Sequence, residues 1–261
     1  LLLCCGAGAA LAAIFKAPIT GVVFVLEILM LDITAGSVIP LLIASITATT
    51  MAFMLRGFDP ILAVTLQPQD AFELWQIPLF ILLGVCCGLM SWYFTSTNLR
   101  VGNFFRKIDS QYKKWLVGGA VLGILIFIFP PLFVGAFTGA SIALLCNAFF
   151  DWDVSVVSFT LVGMAGVMSG VMKAPLTSIF LIAELSNGYG LFIPLMITAC
   201  ISFAVDYYLD PDSIYTKQLR QKGELLTHDK DQSVFVFLKL EELMETDFLR
   251  IKENMTLGDI V

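Results

Sequence analysis

Charge is scarce in this 261-residue chain: Lys, Arg, Asp and Glu make up 14% of it, against about 25% in an ordinary soluble domain. It has one histidine, His228, placed in a polar stretch, so neither a His-based triad nor a multi-His metal centre can be built from it. The six cysteines include two adjacent pairs, Cys4-Cys5 and Cys86-Cys87, inside apolar runs. That pattern matches neither a disulfide framework nor a CxxC metal site, and no metal is expected. There is no long basic run, and the net charge is −6, which disfavours nucleic acid, and none is expected as a partner. No positioned nucleophile and no paired carboxylates on a common face are evident, so neither an intramembrane enzyme nor a cofactor is expected.

What fills the space left by charge is apolar sequence, 58% of the chain, with a mean hydropathy of +0.89. A soluble surface has no use for such an excess, and the class that follows is an all-α polytopic membrane protein embedded in the lipid bilayer. A helix needs roughly 20 apolar residues to cross the hydrocarbon core. Spans are expected at about 38–55, 78–97, 115–131, 132–150, 155–172 and 191–209. Two other apolar stretches are too short, because Leu1–Phe15 stops at Lys16-Ala-Pro18 and Leu176–Leu185 follows Lys173-Ala-Pro175. Proline lacks the N–H a helix interior needs but starts a helix well, so each Lys-Ala-Pro reads as a junction between two half-helices.

Basic residues Arg100, Arg106, Lys107, Lys113 and Lys114 cluster between two spans, whereas Gly57–Ile77 contains no Lys or Arg. The first loop is therefore expected on the cytoplasmic side and the second outside. From Asp210 onward the chain turns charged and mixed, a soluble tail that Lys217, Arg220 and Lys222 also place in the cytoplasm. Trp75, Trp92, Tyr93, Tyr207 and Tyr208 fall near span ends, as an interfacial belt requires.

The sequence also repeats itself. Gly6 to Thr20, with Glu27, matches Gly163 to Thr177, with Glu184, and Ile39-Pro-Leu-Leu-Ile matches Ile193-Pro-Leu-Met-Ile further on. Paired broken helices at equivalent places in two halves are the mark of a transporter-type fold. Their N-termini bring positive dipole ends and free N–H groups into the membrane, where an anion can be held.

These residues resemble the CLC family of chloride channels and chloride/proton antiporters. The resemblance covers nearly all of residues 1–223 and rests on the two Gly-rich half-helices ending in Lys-Ala-Pro-Ile/Leu-Thr, the Glu beyond each, and Ser213-Ile-Tyr215. It implies a CLC-type inverted-repeat fold in a cell inner membrane, and a homodimer formed through residues 19–54 and 176–208. Leu238 to Val261 is similar to the opening of a CBS domain, which makes 224–261 a linker and the start of a small α/β cytoplasmic domain. The resemblance further implies that the Gly-Ser-Gly-Ile-Pro and Gly-Arg-Glu-Gly-Pro segments precede residue 1. The Gly-x-Phe-x-Pro loop expected before Leu132 is replaced by Ile126-Phe-Ile-Phe-Pro130, so a deletion is expected near 131–133.

Chloride transport, as channel or antiporter, is the function this resemblance implies, with a fluoride- or nitrate-preferring transporter or a pore-incomplete, non-conducting fragment as alternatives. Tyr215 is the chloride-binding candidate, since a neutral hydroxyl holds an anion without trapping it. Glu27 and Glu184 are intramembrane carboxylates, suited to structural or proton-path roles. In the family's antiporters a second Glu follows the first as the inner proton station; here that position is Ile28, which points to uncoupled conductance or a different proton path. Lys16 and Lys173 are read as complements to the helix dipole, and Asp206 as a local cap or ion-pair partner.

Overall fold

The computed structural model of the chain describes residues 1–28, 35–57, 62, 72–106, 131–150, 152–186 and 189–211. All of them lie in one compact unit, Leu1–Ile214. The expected span at 115–131, the Ser213-Ile-Tyr215 motif and the CBS-like tail fall outside the described residues.

Eight α-helices make up the described part: α1 (Leu2–Phe15), α2 (Pro18–Ile28), α3 (Ala35–Arg56), α4 (Ile77–Arg106), α5 (Pro131–Phe150), α6 (Val156–Met172), α7 (Pro175–Leu185) and α8 (Phe192–Leu209). Among these residues there is no strand. The stretches Gly36–Arg56, Leu74–Val101, Pro131–Phe150 and Tyr189–Leu209 are long and apolar enough to cross a membrane. The expected span at 155–172 is instead one of the shorter apolar helices, the 17 residues of α6, because Lys173 and Pro175 stop it. Its N-terminus is set by Ser155, whose hydroxyl accepts the Ser158 N–H at 3.2 Å.

Helices α1, α2 and α3 pack on one another, and so do α6, α7 and α8; α2 against α7 joins the two triplets. At the centre of the second triplet, α6 is flanked by α4, α5, α7 and α8. Lipid tails are as apolar as leucine, so helices here gain from close backbone approach rather than from apolar burial alone. Gly135 and Gly139 of α5 meet Gly163 and Phe159 of α6 backbone to backbone, with no room for a side chain. Gly84 and Gly88 let α4 lie against Ile201, Ser202 and Val205 of α8, the two helices running in the same direction. Phe80 and Phe159 stack at 4.7 Å within this core.

The outer surface is strongly apolar, with Leu2, Leu3, Met54, Leu55, Leu144, Phe149 and Tyr208 all exposed. In water such a surface would aggregate; facing acyl chains it is the favourable one. The five aromatics of the expected interfacial belt are all substantially exposed.

Candidate functional site

Both half-helix junctions close the same way. Lys16 and Lys173 take left-handed backbone conformations, φ 52° and 57°, just past the ends of α1 and α6. The next N–H, from Ala17 or Ala174, then reaches back to the carbonyl of Ala12 at 3.0 Å or of Ser169 at 3.2 Å. This is the bonding that usually closes a helix over glycine; a lysine there bears the left-handed strain to place its side chain.

Pro18 and Pro175 open the following helices. Since proline has no N–H, the first free donors of α2 belong to Ile19 and Thr20, and those of α7 to Leu176 and Thr177. They are not open to solvent or lipid. The Glu184 carboxylate accepts from the Ile19 N–H (3.0 Å), the Thr20 N–H (2.8 Å) and the Thr20 hydroxyl (2.6 Å). Glu27 accepts from the Leu176 N–H (2.9 Å), the Thr177 N–H (2.7 Å) and the Thr177 hydroxyl (2.7 Å). Each glutamate stands at the C-terminal end of its own helix, where the dipole disfavours an anion, and is satisfied by the positive end of the other. Helices α2 and α7 therefore run antiparallel, related by a local pseudo-two-fold, which is the arrangement inverted repeats require.

At these two N-termini the anion is thus a side chain of the opposite repeat. Ile28 is half-buried at the end of α2, and Tyr215 lies outside the described residues. The reciprocal pairing was invisible to sequence reasoning, although its signal was present: Pro, Thr and Glu recur at identical spacing in both copies.

The lysines extend the symmetry. Lys16 Nζ donates to the Gly57 carbonyl at 2.8 Å and lies 5.3 Å from the centre of the Phe53 ring. Lys173 Nζ donates to the Asp210 carbonyl at 2.7 Å and lies 5.9 Å from the Tyr207 ring. Each lysine thus ties the first half-helix of its repeat to the far end of the repeat's long helix, besides complementing a dipole. Lys173 also pairs with Asp206. In the Ile-Pro register that aligns α3 with α8, Ala52 stands where Asp206 does.

Two crossed pairs of half-helices, embedded among bilayer-length apolar helices, define a polytopic integral membrane protein of inverted-repeat, transporter-like architecture. The family model described as voltage gated chloride channel matches residues 1–132 and 127–207, and the chain belongs to that family. Among its relatives are the H(+)/Cl(-) exchange transporter ClcA of Vibrio cholerae serotype O1 (strain ATCC 39541), 24% identical over 277 residues. That alignment takes in 84% of this chain and 59% of the relative. ClcA of Salmonella newport (strain SL254) is 24% identical over 290 residues, covering 89% of this chain and 60% of that protein. The chain therefore spans about three-fifths of the length of the curated relatives it matches. Among solved structures, a slow cyanobacterial Cl-/H+ antiporter superposes with a TM-score of 0.68 at 23% identity, over 88% of this chain and 66% of the other. A CLC-type fluoride/proton antiporter gives 0.60 at 15% identity, over 80% and 63%. The fold is thus the CLC fold.

Proposed function

We propose that this chain forms the transport part of a chloride-conducting or chloride/proton-exchanging protein, working as a homodimer in an inner membrane with its C-terminal tail in the cytoplasm. The observation that carries the reading is the reciprocal bonding of Glu27 and Glu184 to the opposite half-helices, set in a chain of this family. It ties the two antiparallel half-helices to each other at both ends, the frame on which an anion path between repeats can be hung. With the N-termini at Pro18 and Pro175 already filled, the permeating anion is assigned to Tyr215 and to the N-termini of other helices. Glu27 and Glu184 are assigned structural roles, since every bond they make joins the repeats. Ile28 offers no proton-accepting group, so any coupled proton leaves by another carboxylate.

A second reading has its own support. The two family matches overlap at residues 127–132, next to the break expected near 131–133. An overlap is what a chain that omits part of the family's pattern produces there. We infer that a stretch of pore is absent at this point, and a non-conducting chain is the corresponding alternative. Reconstitution in liposomes, with chloride efflux and external pH recorded together under a chloride gradient, separates these. Efflux with alkaline or acid drift means exchange, efflux alone means a channel, and no efflux from folded protein means the pore is incomplete. If it conducts, Tyr215→Phe is expected to weaken chloride binding modestly, by up to about tenfold for one lost hydrogen bond; an unchanged affinity by calorimetry removes Tyr215 from the site. Substituting fluoride or nitrate for chloride in the same assay tests the alternative anions.

A further inference from the structure

Near the C-terminal end of α8, Asp206 is 1% exposed. One oxygen, Oδ2, pairs with Lys173. The other, Oδ1, is buried with no hydrogen-bond partner among the described residues, and the same holds for the hydroxyls of Ser91 and Thr95 on α4. Two of these groups, Ser91 and Asp206, converge at Gly170 of α6. A Cβ built at Gly170 would clash with the Ser91 hydroxyl and touch the Asp206 Cβ at 3.3 Å, so the glycine lets Ser91 and Asp206 pack close together against α6. Ser91 lies close enough to act on the Asp206 charge, although no hydrogen bond of ordinary geometry joins the two. Thr95 sits one helical turn further along the same buried side of α4, which runs parallel to α8. The charged groups acting on Asp206 are Lys173 and Asp210.

Buried polar atoms left unpartnered in one neighbourhood are the setting in which proteins hold ordered water. A membrane-embedded carboxylate beside such water is a functional group by default. We propose that Ser91, Thr95, Lys173 and Asp206 enclose water, and that Asp206 Oδ1 takes up and releases a proton through it. A hydronium ion in that water passes its proton to Oδ1, which gains an O–H bond, and a neutral water remains. Lys173 keeps its charge throughout. It stays anchored when Asp206 is neutral, because the Asp210 carbonyl and the Tyr207 ring still hold it. The neutral acid in turn has the Ser91 hydroxyl beside it to accept a hydrogen bond from its new O–H.

Such a site supplies what Ile28 does not, a carboxylate for proton movement, at a position where the first repeat carries Ala52. That its proton travels with an anion rests on the proposed transport function; proton binding itself does not. The test is infrared difference spectroscopy of the full chain in nanodiscs, titrated from alkaline to mildly acid pH with no anion gradient. A protonated-carboxyl band should grow on acidification, be lost in Asp206→Asn, and shift in frequency in Ser91→Ala and Thr95→Val. A titration identical in wild type and Asp206→Asn overturns the proposal. Should Asp206→Asn fail to fold, Ser91→Ala decides: a shifted band supports the site, and an unshifted one overturns it. A band present in protein that shows no efflux overturns the transport reading and leaves the proton site standing.

Discussion

Helices α1 and α6 carry the same Gly-rich, Lys-Ala-Pro pattern and end in the same left-handed lysine, yet they live in different surroundings. α1 buries only Gly8 and Ala12, whereas α6 buries twelve of its 17 residues. The reason is neighbours: among the described elements α1 packs mainly on α2 and α3, while α4, α5, α7 and α8 enclose α6. The junction is thus a local property of the repeat, made by Pro and the helix-end hydrogen bonds in either setting. What the surroundings change is the cost of altering it. The same substitution, placed at matched positions of the two repeats, should give different answers at the lysines and glycines and the same answer at the glutamates.

The lysines should separate the repeats most. Lys173→Met leaves the Asp206 carboxylate buried and unpaired, and breaking a buried pair from one side costs about 3–5 kcal/mol. Lys16→Met removes contacts at a partly exposed site, the bond to the Gly57 carbonyl among them, and should cost about 1 kcal/mol. Chemical denaturation in detergent measures both, and equal losses would mean that Asp206 adds nothing to its lysine.

The glutamates should behave alike. Glu27→Ala and Glu184→Ala each strand two backbone donors and a threonine hydroxyl, a loss of roughly 2–4 kcal/mol either way. Gln in either place keeps an acceptor and should lose about half as much. The double Ala variant should fall short of the sum, since both bonds clamp the same helix pair. Full additivity in the same denaturation series would show that α2 and α7 do not act as one unit.

The smallest effects come from the glycines at matched positions 6 and 163, and they should differ in sign. Ala at 163 would drive a methyl into the Gly135 carbonyl and the Gly139 backbone, where a packed backbone cannot yield, costing about 1–3 kcal/mol. Gly6 has nothing within 4 Å of that methyl. There the change should raise stability by about 0.5–1 kcal/mol through helix propensity alone. A destabilised Gly6→Ala would reveal a neighbour on the outer face of α1.

Much of this architecture could be read before any coordinates. The spans at 38–55, 78–97, 132–150 and 191–209 lie within or closely match helices, because a membrane demands long uninterrupted apolar runs. The half-helices were legible too, since Pro18 and Pro175 act within a turn of themselves. The α6 span was overread: apolarity sets which residues can enter a membrane, but the lysine and proline beyond it set where the helix stops.

The candidate site divides along the same line. The sequence by itself determined the repeat, the two junctions and the identity of the intramembrane glutamates, lysines and aspartate, because each depends on residues near one another in the chain. Only the tertiary structure decided that Glu27 binds Thr177 and Glu184 binds Thr20, partners 150 and 164 residues apart. It alone brought Ser91 of α4 to Asp206 of α8 over the bare backbone of Gly170. A carboxylate's need for donors can be read from its chemistry. Which donors answer it depends on how the two repeats fold back on each other, and no local pattern encodes that.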